Sequence, residues 1–264
     1  MAFHNRLTSI ERARVTITKL TCPITRNALR AIPLTDFIFG VYVSRRYRYV
    51  YIDNPKTGCT SLKSAMAELE LRGSESNLDP LNPEVIHYDA SPLKSFAPIF
   101  PNPTLSSLAA QGYRFVTFVR NPYQRLLSCY LNKFDSNATM DNPQARRMPH
   151  GTAPGDFLEF IEAVVGQTDQ EMDPHWRSQT INIHFGRITY THIGRFENYA
   201  LDYKATFEKL GIPHTDIPQL RHLNKTKAGR SRLREFYDEK SQEAVYARYR
   251  DDFSNFGYSY ELPD

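Results

Sequence analysis

Long apolar runs are missing from this sequence of 264 residues; the longest, around Phe37 to Val43, is far too short to cross a bilayer. The opening stretch from Met1 to Arg14 is polar and charged, without the hydrophobic centre of a secretory signal. The expectation is a soluble, cytoplasmic protein with no transmembrane segment. Cysteine is scarce: Cys22, Cys59 and Cys129 form an odd set without metal-type spacing, which argues against a disulfide framework and a zinc site. The histidines include no HExxH or paired-ligand spacing, so no metal is expected. Charge of one sign is scarce as well. With 33 Lys and Arg against 29 Asp and Glu, a surplus of +4 argues against a nucleic-acid binder driven by bulk basic charge. It leaves room for a local site that takes a small polyanion.

A hydrophobic share of 41% suits one domain with a full-sized core. No repeat and no Gly/Ser/Pro linker divides the chain. Residues 1–35 read as an N-terminal arm and 36–264 as a single domain. Asp36–Val43 and Tyr47–Asp53 read as paired strands, and Thr60–Leu71 has the apolar spacing of a helix. Residues 73–104 read as a surface excursion, with Val85-Ile86-His87 as a strand end. A buried strand, Tyr113–Val119, precedes a helix with Pro122 at its first position. Phe157–Val165 reads as a helix, Ile188–Ile193 as a strand, and Glu197–Leu210 and Ser241–Asp252 as helices. Strands alternating with helices imply an α/β sandwich around a mainly parallel sheet flanked by helices.

Two segments carry chemistry. The first is the turn Asn54-Pro55-Lys56-Thr57-Gly58-Cys59-Thr60-Ser61 between a strand and a helix, where free backbone N–H groups and the helix dipole favour phosphate. The lysine precedes the glycine, so this is not the GxxxxGK[ST] loop of ATP and GTP hydrolases. Nor does an arginine stand at Ala65 to make a tyrosine-phosphatase cradle around Cys59, which reads as a small buried residue. The second segment is Phe118–Ser128. A buried strand delivers Arg120 to its tip, arginine grips phosphate through two parallel hydrogen bonds, and Ser128 lies about two helical turns on. Arg125 reads as structural, pairing across the helix.

Together these blocks resemble the PAPS-dependent carbohydrate sulfotransferases, the Golgi-type families that sulfate GalNAc or galactose and, more loosely, the heparan enzymes (PAPS is 3′-phosphoadenylyl sulfate). YIDNPKTGCTSLK resembles their 5′-phosphosulfate loop and FVRNPYQRLLSCYLNKF their 3′-phosphate motif. His175-Trp176, IGRFENYALDYKATFEKLGI and YARYRDDFSNFGYS follow in the family order. The resemblance implies a P-loop-containing nucleotide hydrolase-like fold and transfer of a sulfuryl group from PAPS to a carbohydrate hydroxyl, without a metal. It also implies that Pro55 to Ser61 (Pro55, Lys56, Thr57, Gly58, Cys59, Thr60, Ser61) hold the 5′-phosphosulfate. Lys56 would stabilise the charge developing between phosphate and sulfate, and Arg120 and Ser128 would hold the 3′-phosphate. Animal relatives carry a membrane anchor and lumenal disulfides that this sequence does not signal, so a bacterial or otherwise soluble member is expected.

The acceptor hydroxyl needs a general base, and histidine is the usual choice. His87 is the candidate, because related enzymes carry a histidine before a leucine-centred stretch at this point; a loop histidine capping a helix is the other reading. His175 is its competitor for that role; with Trp176 it reads as acceptor-binding, by stacking on sugar rings, or as a buried structural pair. The run Arg221–Arg234, basic and free of acid, reads as a lid over PAPS or over an anionic polysaccharide acceptor. Two other classes remain open on sequence: a nucleotide-dependent kinase with a degenerate loop and a non-enzymatic polyanion-binding module.

Overall fold

The computed structural model describes residues 22–87, 91–95, 104–134, 144–221 and 232–263. Its first half runs α1 (Pro23–Ala31), α2 (Leu34–Phe39), β1 (Val41–Ser44), β2 (Tyr49–Ile52), α3 (Cys59–Leu71) and α4 (Pro83–His87). Then come β3 (Lys94–Ser95), α5 (Leu105–Ala110), β4 (Arg114–Val119) and α6 (Pro122–Lys133). The second half adds α7 (Phe157–Val165), α8 (Gln179–Asn182), β5 (His192–Arg195), α9 (Tyr199–Lys209), α10 (Leu233–Phe236), α11 (Glu239–Arg248) and α12 (Arg250–Phe256).

Among the described residues the sheet has five strands in the order β3-β1-β2-β4-β5. β1 and β2 form an antiparallel hairpin with Val41 opposite Ile52, and β3 pairs antiparallel to β1. β2, β4 and β5 run parallel, with Tyr51 beside Val116 and Val119 beside Arg195. The sheet is therefore mixed: its parallel half carries the two motif strands, and an antiparallel edge is added.

Every residue of β2 is buried because helices cover both faces of the sheet. The period-2 alternation sends Tyr49 and Tyr51 toward Leu62, Met66 and Leu69 of α3 and Phe207 of α9. Val50 and Ile52 face the other way, toward Ala28, Ile32, Phe37 and Ile38. Within the stretch read as an arm, Ala28 and Ile32 thus belong to this second cluster, while residues 1–21 lie outside the described residues. A third, aromatic cluster joins Tyr123 and Leu127 of α6 to Phe160, Trp176, Tyr249 and Phe253.

Four boundaries differ from the sequence reading. Asp36–Phe39 is helical: Pro33 precedes α2, the Gly40 N–H closes on the Asp36 carbonyl, and Phe37 and Ile38 are buried. Val85-Ile86-His87 is also helical, since Pro83 opens α4 and the N–H groups of Val85 and Ile86 both return to the Asn82 carbonyl. The third parallel strand starts at His192; Ile188 is buried in the core but outside the ladder. The C-terminal helix is two helices meeting at Tyr249, whose hydroxyl donates to the Trp176 carbonyl at 2.5 Å.

Candidate functional site

In parallel sheets, ligands collect beyond the C-terminal ends of the strands. Here the neighbouring tips of β2, β4 and β5 deliver residues 53–58, Arg120 and residues 196–199 to one place. Each tip is held by side chains from another.

The β2 tip turns sharply into α3. Lys56 (φ 72°) and Gly58 (φ 84°) both take the left-handed conformation. Only glycine fits at 58, because a Cβ there would lie 2.4 Å from the Tyr199 ring. The Tyr199 hydroxyl donates to the Gly58 carbonyl at 2.7 Å. Thr57 is fully buried and turned inward, its hydroxyl donating to the Asn54 carbonyl at 2.6 Å, so it offers the loop main chain only. Asp53 is committed to Lys63 at 2.8 Å and accepts from the Tyr51 hydroxyl at 3.0 Å. Burial works against the Lys63 charge, but Asp53 outweighs it and raises the ammonium's pKa.

Arg120 follows β4 and is 4% exposed. Its Nη1 donates to the Lys56 carbonyl at 3.2 Å, and its guanidinium lies 4.1 Å from the centre of the Phe196 ring. Its Nε is buried with no hydrogen-bond partner among the described residues. Burial pushes this guanidinium down to about 10; Glu197 opposes the shift and Arg125 adds to it. Asn121 caps α6 by accepting from the N–H groups of Tyr123 and Gln124, and its own N–H donates to Glu197 at 2.6 Å. Ser128 lies buried on α6.

Arg125 is structural, as the sequence suggested, but its partners are not across the helix. Its guanidinium, 1% exposed, donates to three main-chain carbonyls: Pro55 at 3.0 Å, Arg177 at 2.7 Å and Pro174 at 2.7 Å. It ties the phosphate-type loop to the segment that holds His175. Gln179 makes a second tie. Its Oε1 accepts from the Asn54 amide at 3.1 Å and the Arg120 N–H at 2.9 Å, and its Nε2 donates to the Arg120 carbonyl at 2.7 Å.

The remaining sequence candidates divide. The ring Nδ1 of His175 lies 2.5 Å from Asp173, and the side chain is 26% exposed. Trp176 corrects the expectation of a sugar-stacking ring: it is fully buried against Phe134 and Phe160, and its indole N–H donates to Gln167 at 2.8 Å. Burial raises the Cys59 thiol's pKa, which suits a packed residue rather than a nucleophile. His87 ends α4, and its side chain lies outside the described part of the structure. Residues 222–231 of the basic run also lie outside the described residues; Arg221 pairs with Glu68 at 3.4 Å. Among the described residues no His, Cys, Asp and Glu cluster forms a metal site, and no helix is long and apolar enough to cross a membrane.

The family model described as "Sulfotransferase family" matches residues 40–259. Carbohydrate sulfotransferase 14 of Homo sapiens is 29% identical over 189 residues, 67% of this chain and 48% of that protein. Carbohydrate sulfotransferase 8 of Homo sapiens is 23% identical over 246 residues, 85% of this chain and 56% of that one. Carbohydrate sulfotransferase 10 of Mus musculus is 24% identical over 290 residues, 95% of this chain and 76% of that one. The chain thus spans about half the length of the first two. No solved structure matches it.

Proposed function

The chain belongs to the sulfotransferase family, and from that premise we propose that it moves a sulfuryl group from PAPS to a hydroxyl of a carbohydrate, in polysaccharide biosynthesis. The observation that carries the donor assignment is the buried Nε of Arg120 at a strand tip, without a partner among the described residues, next to the loop of Lys56. An orphan cationic donor in that position suits a phosphate oxygen. PAPS supplies a sulfuryl group already activated by its bond to phosphate.

In this reading the main chain of 57–61 and the start of α3 hold the 5′ end, while Arg120 and Ser128 hold the 3′-phosphate. Lys56 stabilises the charge that builds on the phosphate oxygen as transfer proceeds. A histidine takes the acceptor's proton; His87 and His175 are the two that the sequence singles out. The acceptor is a glycan, and an anionic polysaccharide suits the basic run 221–234. We assign the protein to a reducing, cytoplasmic compartment, in keeping with free thiols at Cys22, Cys59 and Cys129. Calorimetry tests the donor: adenosine 3′,5′-bisphosphate (PAP), the product nucleotide, should bind and ATP should not. Binding of ATP with indifference to PAP would overturn the reading in favour of a kinase.

Lys56 also predicts a pH dependence. Burial, with Lys133 and Arg120 adding repulsion, holds this ammonium down at about 8. The charged form dominates below that value, so kcat/KM should fall as pH rises through it, by about tenfold for each further unit. Arginine stays charged throughout, so the alkaline fall should vanish in Lys56→Arg. An unchanged fall in that variant would assign it to another group.

A further inference from the structure

We propose that His175, oriented by Asp173, is the general base that accepts the proton of the acceptor hydroxyl. The inference rests on the sulfotransfer reading and selects between its two histidines.

Orientation comes from the carboxylate. One oxygen of Asp173 accepts the His175 backbone N–H at 2.9 Å and faces the ring Nδ1 at 2.5 Å. An ionised carboxylate only accepts, so Nδ1 carries the proton and the lone pair is left on Nε2. Burial by itself would raise the Asp173 carboxyl's pKa, but His175 and Arg147 outweigh it and hold the group well below the usual carboxylate range.

Placement comes from two independent ties. The Arg125 guanidinium spans the carbonyls of Pro55 and Pro174, the residues immediately before Lys56 and His175. The Asn182 amide donates to Pro174 at 2.9 Å and to Asn54 at 3.3 Å. The dyad is therefore fastened beside the loop that carries Lys56. Trp176, locked in the core, anchors the far side of the segment, while the His175 ring keeps its partial exposure.

The other histidines with described side chains are placed elsewhere. His184 is buried against Phe37, His192 opens β5 at the end of the sheet opposite the tips, and His214 lies beyond α9. Burial lowers the pKa of His175; the charges of Lys133 and Lys56 act in the same direction and Asp173 opposes them. The ring is then neutral near pH 7, as a base must be.

The step balances. The hydroxyl proton passes to Nε2 as the hydroxyl oxygen bonds to sulfur. The bond from sulfur to the nucleotide phosphate breaks, and its electron pair stays on that phosphate, facing Lys56. The products are a sulfate ester, PAP and a proton on His175, which is later lost to water. Asp173 is a positioning residue in this scheme.

The test combines kinetics with readouts independent of turnover. His175→Gln should lower kcat by about 10²–10⁴-fold with PAP affinity by calorimetry unchanged, and the acid limb of kcat/KM should disappear. In Asp173→Asn that limb should move to lower pH, because the carboxylate that favours the imidazolium is gone; a residue that only held the loop would leave it in place. Nitrogen NMR of the wild-type ring should find the proton on Nδ1. Near-full turnover in His175→Gln, loss of the acid limb in His87→Ala instead, or a proton on Nε2 would each overturn the assignment. Wild-type protein that ignores PAP would overturn the donor reading instead, a separate result.

Discussion

Replacing Arg120 by alanine is expected to weaken PAP binding roughly 100-fold or more, the equivalent of losing one or two hydrogen bonds to a charged group. The expectation follows from the state of the side chain before any ligand arrives. Nearly all of it is buried, it is pressed on the Phe196 ring, and its Nε has no partner among the described residues. A buried cation of this kind is costly to maintain unless an anion completes it. Arg120→Lys should recover only part of the loss, because an ammonium is a point charge without the planar fork. Calorimetry with PAP, set beside AMP, isolates the 3′-phosphate: the variant should bind the two nucleotides nearly alike, whereas the wild type should prefer PAP. Equal discrimination in Arg120→Ala would move the 3′-phosphate away from this residue.

Arg125→Met is expected to damage stability and binding together. The carbonyls of Pro55 and Arg177 lose their donor, while Pro174 keeps the Asn182 amide; each buried unsatisfied group costs about 1–3 kcal/mol, so the sum is roughly 2 kcal/mol or more. In a chain of this size that lowers the melting temperature by roughly 4–8 °C. Arg125→Lys should do little better, since one ammonium cannot reach three carbonyls that lie in different directions. At temperatures where the variant is still folded, PAP affinity and turnover should both fall, because the loop at Pro55 and the segment at Pro174 no longer share an anchor. An unchanged melting curve would overturn the structural role.

Much of the backbone that frames the candidate site is legible in the sequence because it is local. Pro122 at the first helical position and the turn residues at 54–58 are short-range signals, and the structure has a strand tip, loop and helix at both motifs. α7 begins and ends at the residues read from sequence. What was not legible depends on partners distant in the chain. Gln179 joins Asn54 across 125 positions and Arg125 joins Pro55 across 70, and such contacts leave no periodicity. Trp176 stays open between two readings for a related reason: beside a histidine an aromatic ring suits a sugar platform or the core, and only its packing decides for the core. Asp36–Phe39 reads as strand because its apolar run is short, and six residues are too few for helical spacing to outweigh aromatic and β-branched content.

The two arginines that hold carbonyls have a consequence for how an anion is met. In a trans peptide the C=O and the N–H point in opposite directions. Arg125 draws the Pro55 carbonyl one way and Arg120 draws the Lys56 carbonyl. The amide hydrogens of Lys56 and Thr57 are thereby turned to face away from the two guanidinium groups. The dipoles of the loop are aimed by cations behind it, so on the proposed reading an arriving negative group would meet donors that need not rotate. Their orientation is settled during folding instead of during catalysis, which is when an enzyme gains most from dipoles already in place.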